Sequence, residues 1–373
     1  MSSLRIVLAP NAFKGTLTAD GAAAAMAAGV HAALSTAVVI LRPLADGGDG
    51  SIDALVTAGF TRHPVTTRGP TGAPVQASFA IRERVAIVEL ANACGLSLLP
   101  GGELNPMTSS TAGLGDAIRA ALDSDVDELV ICVGGSASTD GGAGMLTALG
   151  GVLRDARGEA VQPGGGSLES IVDIDLSGLD PRLTRVRITV ATDVTSPLLG
   201  PTGAAAVFAP QKGATAEQVE LLEAGLTHWS QELARVTGVD VALSPGAGAA
   251  GGTAFAAISA LAAQVISGAE LIADAIGLGQ VITTADLVIT GEGALDTQSR
   301  LGKGTGLVAR LAQENGVPCI AVCGRVDLTP EQLREMGIDD ASDLTQADAL
   351  DAGDALRSAT EVAVLRWRGR HRH

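Results

Sequence analysis

The sequence predicts an α/β fold made of two different α/β domains, one inserted into the other. Short apolar runs alternate with helical segments near both chain ends, which is the pattern of parallel strands joined by helices. The middle of the chain shows a different order of elements. We therefore predict a discontinuous Rossmann-like domain from 1–65 and 283–373, and an inserted α/β domain from 66–282. The segment 105–150 is compatible with either domain.

The composition predicts a large core made of small side chains. Hydrophobic residues make up 46% of the 373 residues, but aromatic residues only 2%, and tyrosine is absent. Alanine, valine, leucine and isoleucine must therefore fill the core. The 48 glycines show no collagen-like period and cluster in short loops. They indicate turns at which the backbone approaches another group closely.

The charge and the cysteines argue against several kinds of partner and environment. With 25 Lys and Arg against 41 Asp and Glu, the net charge is −16, which argues against a nucleic-acid partner. The arginine-rich stretch 366–373 is interpreted as a solvated tail. The four cysteines form no Cys-x-x-Cys pair, which is typical of reduced, buried thiols in a cytosolic protein.

One uncharged segment is long enough to span a bilayer. Residues 241–269 contain no charged side chain, but most of them are alanine or glycine. Larger apolar residues recur at helical spacing from Phe255 through Leu261 to Val265 and Ile266. We therefore interpret the segment as a glycine-rich loop followed by a buried helix, and expect no membrane partner.

Strands and helices alternate near the two chain ends. At the amino end we predict a strand at 4–9, a helix from about 18 to 34 and a strand at 38–44. Toward the carboxyl end we predict a strand at 286–290, a helix at 305–314, a strand at 318–323 and helices at 330–336 and 351–366. Such strand-helix-strand units give parallel sheets.

The middle of the chain begins with two strands that have no helix between them. These runs, 75–81 and 85–90, are predicted to be antiparallel. After them we expect, in order, a helix at 110–122, a strand at 128–133, a strand at 186–191 and a helix from about 216 to 236.

The loop 134–142 combines glycines, hydroxyls and one acid, directly after a predicted strand. In open parallel sheets, ligands bind beyond the carboxyl ends of the strands. Glycines let successive N–H groups converge on an anion, and the start of the following helix adds a positive end. We therefore predict an anion-binding loop that includes Gly134, Gly135, Ser136 and Asp140.

Acidic residues occupy two other predicted strand ends. Asp46 and Asp49 flank a glycine pair, and carboxylates in such a place suit Mg²⁺, which also binds phosphate oxygens. A tight turn with solvated acids is the alternative. The loop 291–304 adds Glu292 and Asp296 as candidates for metal binding or base catalysis.

Isolated cations and one further acid complete the candidates. Lys14 lies between a predicted strand and helix, where its ammonium could face a phosphate or a carboxylate; a surface lysine is the alternative. Lys212 stands between a proline and a glycine, and Arg300 and Lys303 lie in the acidic loop near the carboxyl end. Asp193 follows a predicted strand and could orient or deprotonate a substrate hydroxyl.

Common nucleotide motifs do not fit well. Gly302-Lys303 lacks the earlier glycine of a Walker loop. The segment 246–251 formally matches the dinucleotide fingerprint, with Glu270 downstream, but the match has low specificity and the preceding strand is weak. The inventory of anion loops, acids and lysines, without an obvious histidine base, instead fits phosphoryl transfer.

The chain resembles the bacterial glycerate kinases of the glycerate 2-kinase type over nearly its whole length. The motifs that carry the resemblance are Phe13-Lys14-Gly15, Ala45-Asp46-Gly47-Gly48, the loop 134–142, Asp193-Val194-Thr195, Pro210-Gln211-Lys212-Gly213-Ala214, 245–252, Thr290-Gly291-Glu292-Gly293, Asp296-Thr297-Gln298-Ser299 and Gly302-Lys303. The chain departs from the usual pattern at Asn11, Asp49, Thr139 and Arg300. Asn11 weakens the case for a metal ligand at that position, and Arg300 could alter substrate preference or point into solvent.

The resemblance implies ATP-dependent phosphorylation of D-glycerate with Mg²⁺, in the cytosol, by a monomer or homodimer with a cleft between its two domains. The hypothetical site has four groups of residues. They are Lys14, Arg300, Lys303 and Asp296 for glycerate; Gly134, Gly135, Ser136 and Asp140 for the nucleotide phosphates; Asp46, Asp49 and Asp296 for Mg²⁺; and Asp193, Lys14, Lys212 and Lys303 for catalysis.

Three alternatives stay open at this point. Phosphate could go to the 3-hydroxyl of glycerate instead of the 2-hydroxyl, and the loops do not decide between the two. A non-catalytic module that senses a hydroxy acid is a rival of another class, which the density of acids and lysines disfavours. A nicotinamide-dependent reductase is the third alternative.

Overall fold

The computed structural model describes residues 3–13, 16–45, 47–48, 50–297, 299, 304–344 and 351–370. Its strands and helices confirm the predicted α/β class. The strands are β1 (Arg5–Pro10), β2 (Val38–Leu41), β3 (Thr61–Arg68), β4 (Pro74–Arg82), β5 (Val85–Glu89), β6 (Glu128–Cys132), β7 (Val152–Arg154), β8 (Asp173–Asp175), β9 (Arg187–Ala191), β10 (Gln264–Ile266), β11 (Leu287–Gly291), β12 (Ala294–Leu295), β13 (Cys319–Cys323), β14 (Arg325–Val326) and β15 (Asp340–Asp343).

The α-helices range from five residues to the 22 residues of α7. They are α1 (Ala19–Ala33), α2 (Ser51–Thr57), α3 (Leu90–Cys94), α4 (Ala112–Leu122), α5 (Ala143–Ala148), α6 (Ala204–Phe208), α7 (Ala216–Thr237), α8 (Ala249–Leu261), α9 (Gly268–Ala275), α10 (Leu278–Ile282), α11 (Thr305–Glu314), α12 (Pro330–Glu335) and α13 (Ala352–Arg370). No helix in the described part of the chain is long and apolar enough to cross a membrane.

The contacts divide the chain into two compact units. The terminal unit comprises 1–46 and 269–373, and the inserted unit comprises 47–268. These limits differ from the predicted limits at 65/66 and 282/283. β3 pairs with β4 along its whole length and therefore belongs to the inserted unit. At the other limit, α10 packs against α11 of the terminal unit.

The terminal unit contains a five-stranded sheet in the order β15-β13-β11-β1-β2, with every neighbouring pair parallel. Renumbered within this unit, the order is 2-1-3-4-5, the flavodoxin-like variant of the doubly wound fold. The central strand β11 is buried along its whole length, as a strand covered on both faces must be. The topological switch point falls between β1 and β11, where such folds bind ligands.

Helices α1 and α13 pack together in the terminal unit through a glycine. A Cβ atom at Gly29 would lie 2.3 Å from the carbonyl oxygen of Arg357, so the alanine-rich helix α1 needs glycine there. Leu356 and Trp367 of α13 are buried in the same core. Residues 366–370 of the predicted solvated tail belong to α13, so this part is helical, although Arg366, Arg368 and Arg370 are exposed as expected. Arg366 pairs with Asp340 at 3.1 Å.

The inserted unit contains a six-stranded mixed sheet in the order β10-β9-β6-β5-β4-β3. The strands β10, β9, β6 and β5 are parallel, whereas β4 is antiparallel to both β5 and β3, as predicted for 75–81 and 85–90. The segment 105–150 lies in this unit, because β6 pairs with β5 and β9. The largest fully buried side chains of this core are Trp229 and Phe255.

The helix predicted within 241–269 is shorter than its apolar spacing indicated. Helix α8 ends at Leu261, and Ala262 adopts a left-handed conformation with φ 54°. Val265 and Ile266 lie in β10, which pairs with β9, and both side chains are exposed. Pairing with a neighbouring strand therefore overrides the helical pattern in this segment.

Candidate active site

The predicted site residues fall into two groups. Those within the described residues are Gly134, Gly135, Ser136, Asp140, Asp193, Lys212 and Asp296. Those outside the described residues are Lys14, Asp46, Asp49, Arg300 and Lys303. The geometry below concerns the first group and the described neighbours of the second.

Four parallel strand ends form one edge of the inserted unit. Glu89 at the end of β5 is in register with Cys132 of β6, Cys132 with Ala191 of β9, and Ala191 with Ile266 of β10. The loops that follow these positions therefore start side by side. They carry the anion loop after β6 and Asp193 after β9, so the structure brings these two predicted features to the same edge.

The start of the anion loop turns sharply at the end of β6. The N–H of Gly134 donates to the carbonyl of Gly47 at 2.9 Å, and Gly135 is exposed with φ 71°. Ser136 is buried, and its Oγ accepts a hydrogen bond from the N–H of Ser138 at 3.1 Å. Within the described residues, the N–H groups of Gly135 and Ser136 donate to no protein acceptor. These two donors can therefore face an anion.

Asp140 is fully buried, and its carboxylate already accepts hydrogen bonds from other groups of the protein. Its carboxylate accepts hydrogen bonds from the N–H of Thr111 at 2.8 Å, from the Thr111 hydroxyl, and from the N–H groups of Gly142 and Gly144, each at 3.2 Å. The Thr111 hydroxyl accepts in turn from the N–H of Met145 at 2.9 Å. The carboxylate thus takes the place of an anion at the starts of α4 and α5. Its contacts hold these two helices together.

Lys212 is a buried cation beside the anion loop. It is 2% exposed, and its Nζ donates to the carbonyl of Ser138. Burial lowers the pKa of Lys212 to about 8, and the charge of Asp140 opposes that shift. In the described part of the chain, Ser138 is its one hydrogen-bond acceptor, although an ammonium group has three N–H donors. The remaining donors can serve an anionic ligand.

The segment 249–252 packs closely over this lysine. A Cβ atom at Gly251 would lie 2.2 Å from the carbonyl oxygen of Ser138 and 3.0 Å from Lys212 Nζ. Ala250, Gly251 and Gly252 all have positive φ, and the Gly251 carbonyl accepts from Gly141 at 3.0 Å. The element before the dinucleotide fingerprint at 246–251 is the helix α7, whereas a Rossmann loop follows a strand.

The downstream acid of that fingerprint is also engaged in another contact. Glu270 forms an ion pair with Arg310 at 2.7 Å in the terminal unit. A nicotinamide site at 246–251 would need a preceding strand and an acid directed at a ribose. The structure supports neither requirement in the described residues.

Asp193 lies two residues after β9 and is held by Ser267, the residue that follows β10. Its Oδ1 accepts a hydrogen bond from the hydroxyl of Ser267 at 2.7 Å, and both side chains are partly exposed. The N–H of Val194 donates to the hydroxyl of Thr192 at 3.1 Å, which fixes the backbone of the same turn. Asp193 is thus oriented at the strand edge while part of its side chain stays accessible.

The terminal unit carries a second polar cluster at its topological switch point. The N–H of Asn11, after β1, donates to the carbonyl of Gly291, at the end of β11, at 2.8 Å. Glu292 accepts a hydrogen bond from the hydroxyl of Ser299 at 2.7 Å, and the same hydroxyl accepts from the N–H of Asp296 at 3.4 Å. Asp296 therefore lies in this cluster, at the carboxyl ends of the central strands.

No group of three or more potential metal-ligating His, Cys, Asp or Glu side chains occurs among the described residues. Of the predicted Mg²⁺ ligands, the described part of the chain contains only Asp296. The Mg²⁺ assignment to Asp46, Asp49 and Asp296 therefore stays a prediction.

Several side chains of these clusters were not predicted as site residues, and three of them matter for the argument below. They are Glu89, Thr111 and Ser267. Glu89 is the one charged residue in the otherwise apolar run 85–90, and a lone acid in a buried strand is a usable signal. Thr111 and Ser267 offered no such signal, because their partners lie 29 and 74 residues away along the chain.

Comparison with known proteins gives matches to one family over nearly the whole chain. A sequence profile described as "Glycerate kinase family" matches residues 6–364. The glycerate kinase of Bacillus subtilis (strain 168) is 40% identical over 362 residues, which cover 96% of this chain and 94% of that protein. The glycerate 2-kinase of Escherichia coli (strain K12) is 41% identical over 361 residues, which cover 95% of this chain and 94% of that protein.

A solved structure also matches over the whole length. It comes from Salmonella typhimurium LT2 and carries the name glycerate kinase 2. It has 39% sequence identity and a TM-score of 0.81, and the match covers 100% of both chains.

Proposed function

Because this chain belongs to the glycerate kinase family, we propose that it transfers a phosphoryl group from ATP to the 2-hydroxyl of D-glycerate. The observation that carries the proposal is the 41% identity, over 361 residues, to a protein named glycerate 2-kinase. The expected product is 2-phosphoglycerate. The proposed reaction belongs to the catabolism of glycerate, glyoxylate or sugar acids in the cytoplasm, carried out by a monomer or homodimer.

The anion loop is the proposed binding site of the nucleotide phosphates. The N–H groups of Gly135 and Ser136 are available at the end of β6, and such donors bind phosphate oxygens. Lys212 lies beside the same loop and would stabilise negative charge that develops during the transfer. We assign Asp140 to holding the loop, because its carboxylate is buried among four donors and would repel a phosphate.

Asp193 is the proposed group that orients the attacking hydroxyl. It lies on the same strand edge as the anion loop, and Ser267 fixes its carboxylate. An oriented carboxylate can accept the hydroxyl proton as the phosphoryl group is transferred. The carboxylate of glycerate is assigned to Lys14, Arg300 and Lys303, with Asp296 near its hydroxyl groups.

Asp46, Asp49 and Asp296 remain the proposed Mg²⁺ ligands. Bound Mg²⁺ would neutralise charge on the phosphate oxygens of ATP.

The proposal is tested by assaying the purified protein with ATP, Mg²⁺ and D-glycerate. Release of ADP that depends on glycerate is the expected result, and phosphorus NMR of the product identifies the phosphorylated hydroxyl. Coupling to enolase alone gives a signal for 2-phosphoglycerate, whereas 3-phosphoglycerate also needs the mutase. Product at the 3-hydroxyl would contradict the assigned position. Glycerate binding by calorimetry without ADP release would favour the sensor alternative.

A further inference from the structure

Glu89 is a buried acid to which the proposed reaction assigns no role. It is 4% exposed at the end of β5, in a strand that is otherwise apolar. Burying a carboxylate is costly unless its oxygens accept hydrogen bonds. The contacts of Glu89 therefore indicate what the residue is for.

Both carboxylate oxygens bind the start of α2. Oε1 accepts from the N–H of Gly50 at 3.2 Å, and Oε2 accepts from the N–H of Ile52 at 2.9 Å. Gly50, the residue before α2, has φ 86° and no side chain that could cap the helix. Glu89 supplies the missing acceptors from a strand almost 40 residues away along the chain.

The same turn is fixed against the end of β6. The Gly47 carbonyl accepts from the N–H of Gly134 at 2.9 Å, and a Cβ atom at Gly134 would lie 2.3 Å from the Cα of Gly48. Ser51 closes the turn from inside by donating its hydroxyl to the Gly48 carbonyl at 2.7 Å. A shift of this turn would therefore displace Gly134, and with it the N–H donors of the next two residues.

We propose that Glu89 is a positioning residue for the nucleotide phosphates. Its carboxylate holds Gly50 and Ile52 at the start of α2, next to the glycines that pack against Gly134. Gly134 in turn sets the direction of the N–H groups of Gly135 and Ser136. This inference rests on the proposed function, because it uses the assignment of the phosphates to these two donors.

The test replaces Glu89 by glutamine, which keeps the size but leaves one oxygen to accept the two N–H groups. Glu89→Gln is expected to raise the KM for ATP about tenfold. This change corresponds to the loss of one hydrogen bond from Gly135 or Ser136 to a charged phosphate oxygen of ATP. The KM for glycerate is expected to stay within about twofold, because the residues assigned to the glycerate carboxylate belong to other segments of the sequence. Calorimetric titration with a non-hydrolysable ATP analogue should show the same weakening.

Asp53→Asn is the matched control. Asp53 is an exposed acid on α2 that pairs with Arg62, so its loss leaves the turn intact and the KM for ATP unchanged. A folded Glu89→Gln protein with the wild-type KM for ATP would overturn the proposal. An equal rise in both KM values would overturn it as well.

A milder variant keeps the test decisive if Glu89→Gln does not fold. Ser51→Ala removes a further side-chain hydrogen bond of the same turn, to the Gly48 carbonyl, and should raise the KM for ATP about threefold. An unchanged KM for ATP in this variant would contradict the proposal. If the wild-type protein releases no ADP with glycerate, the proposed function fails, and the titration with the ATP analogue still decides the role of Glu89.

Discussion

At the scale of single residues, the candidate site depends on side chains that the fold buries or orients. Asp140 and Lys212 are both nearly inaccessible, yet they differ in what their contacts leave available. The carboxylate of Asp140 accepts hydrogen bonds from several protein donors, whereas Lys212 has one acceptor in the described residues. The sequence offered Asp140 as a candidate for binding phosphate and Lys212 as a candidate for catalysis, and their partners in the fold show which of the two has donors or acceptors available.

Asp193→Asn should lower kcat by about 10²–10⁴-fold, because an amide orients a hydroxyl but accepts its proton poorly. Initial rates with saturating ATP and glycerate measure the effect, and circular dichroism checks the fold. Ser267→Ala is the control for orientation alone: it removes the 2.7 Å hydrogen bond but keeps the carboxylate, so its effect on kcat should be smaller. A near-normal kcat in Asp193→Asn would remove this residue from the mechanism.

Lys212 should make the stability of the protein depend on pH. Its pKa falls from 10.5 to about 8 on folding, so between these values the unfolded chain binds a proton that the folded protein has lost. The free energy of unfolding should therefore rise with pH in this window. Relative to Lys212→Met, the rise between pH 8 and pH 10 is expected to be about 2 kcal/mol.

Urea unfolding of both proteins at pH 8 and pH 10 measures this difference. The comparison with Lys212→Met cancels the titration of the other groups. Parallel pH curves for the two proteins would show that the ammonium is not desolvated in the folded state.

At the scale of elements, local signals placed the longer helices better than the short helices and the edge strands. Helix α7 begins after the capping box of Thr215 and Gln218 and ends before Gly238 with φ 73°, close to the predicted 216–236. The predicted helix 305–314 coincides with α11. By contrast, β3 and β15 were not predicted, because both are edge strands rich in polar residues. Pairing with neighbouring strands forms them, and that information is not local.

The same limit applies to the candidate site. Its loops were recognisable because glycines, acids and hydroxyls follow apolar runs. The contacts between these loops were not recognisable, because Glu89 meets Gly50 and Ile52 across almost 40 residues of chain. A single sequence thus identifies which loops carry the reactive residues. The fold determines which of their hydrogen-bonding groups already have partners within the protein.

Gly251→Ala should destabilise the start of α8. Its Cβ would lie 2.2 Å from the carbonyl oxygen of Ser138, and its φ of 65° is unfavourable for alanine. A loss of about 2–4 kcal/mol is expected from these two effects together. Gly279→Ala in α10 is the control, because a Cβ there meets no atom within 4 Å and alanine favours the helix. Denaturant unfolding compares the two; equal stabilities would contradict the close packing over Lys212.

At the scale of the whole molecule, the two units differ in how the chain builds them. The inserted unit takes one continuous segment, 47–268, with its own sheet and core. The terminal unit needs both chain ends, because β1 lies between β2 and β11 in the sheet. That each unit is a domain in the folding sense remains our prediction.

The segment 47–268 should therefore fold when it is produced alone. We expect α/β circular dichroism and one cooperative unfolding transition in denaturant. A fragment of 1–46 should show neither, because β1 lacks its partner β11. An inserted segment that stays unfolded alone would show that the contacts separating the units do not define folding domains.

The position of β1 also has a consequence for the order of events on the ribosome. β1 leaves the ribosome before the inserted unit, but its neighbour β11 is synthesised more than 270 residues later. At roughly 5–20 residues per second, that interval lasts on the order of tens of seconds. During this time an apolar strand and the alanine-rich helix α1 have no sheet to join, while the inserted unit can already complete its core. We therefore expect the segment that carries β1 and α1 to need protection by a chaperone until β11 has been synthesised.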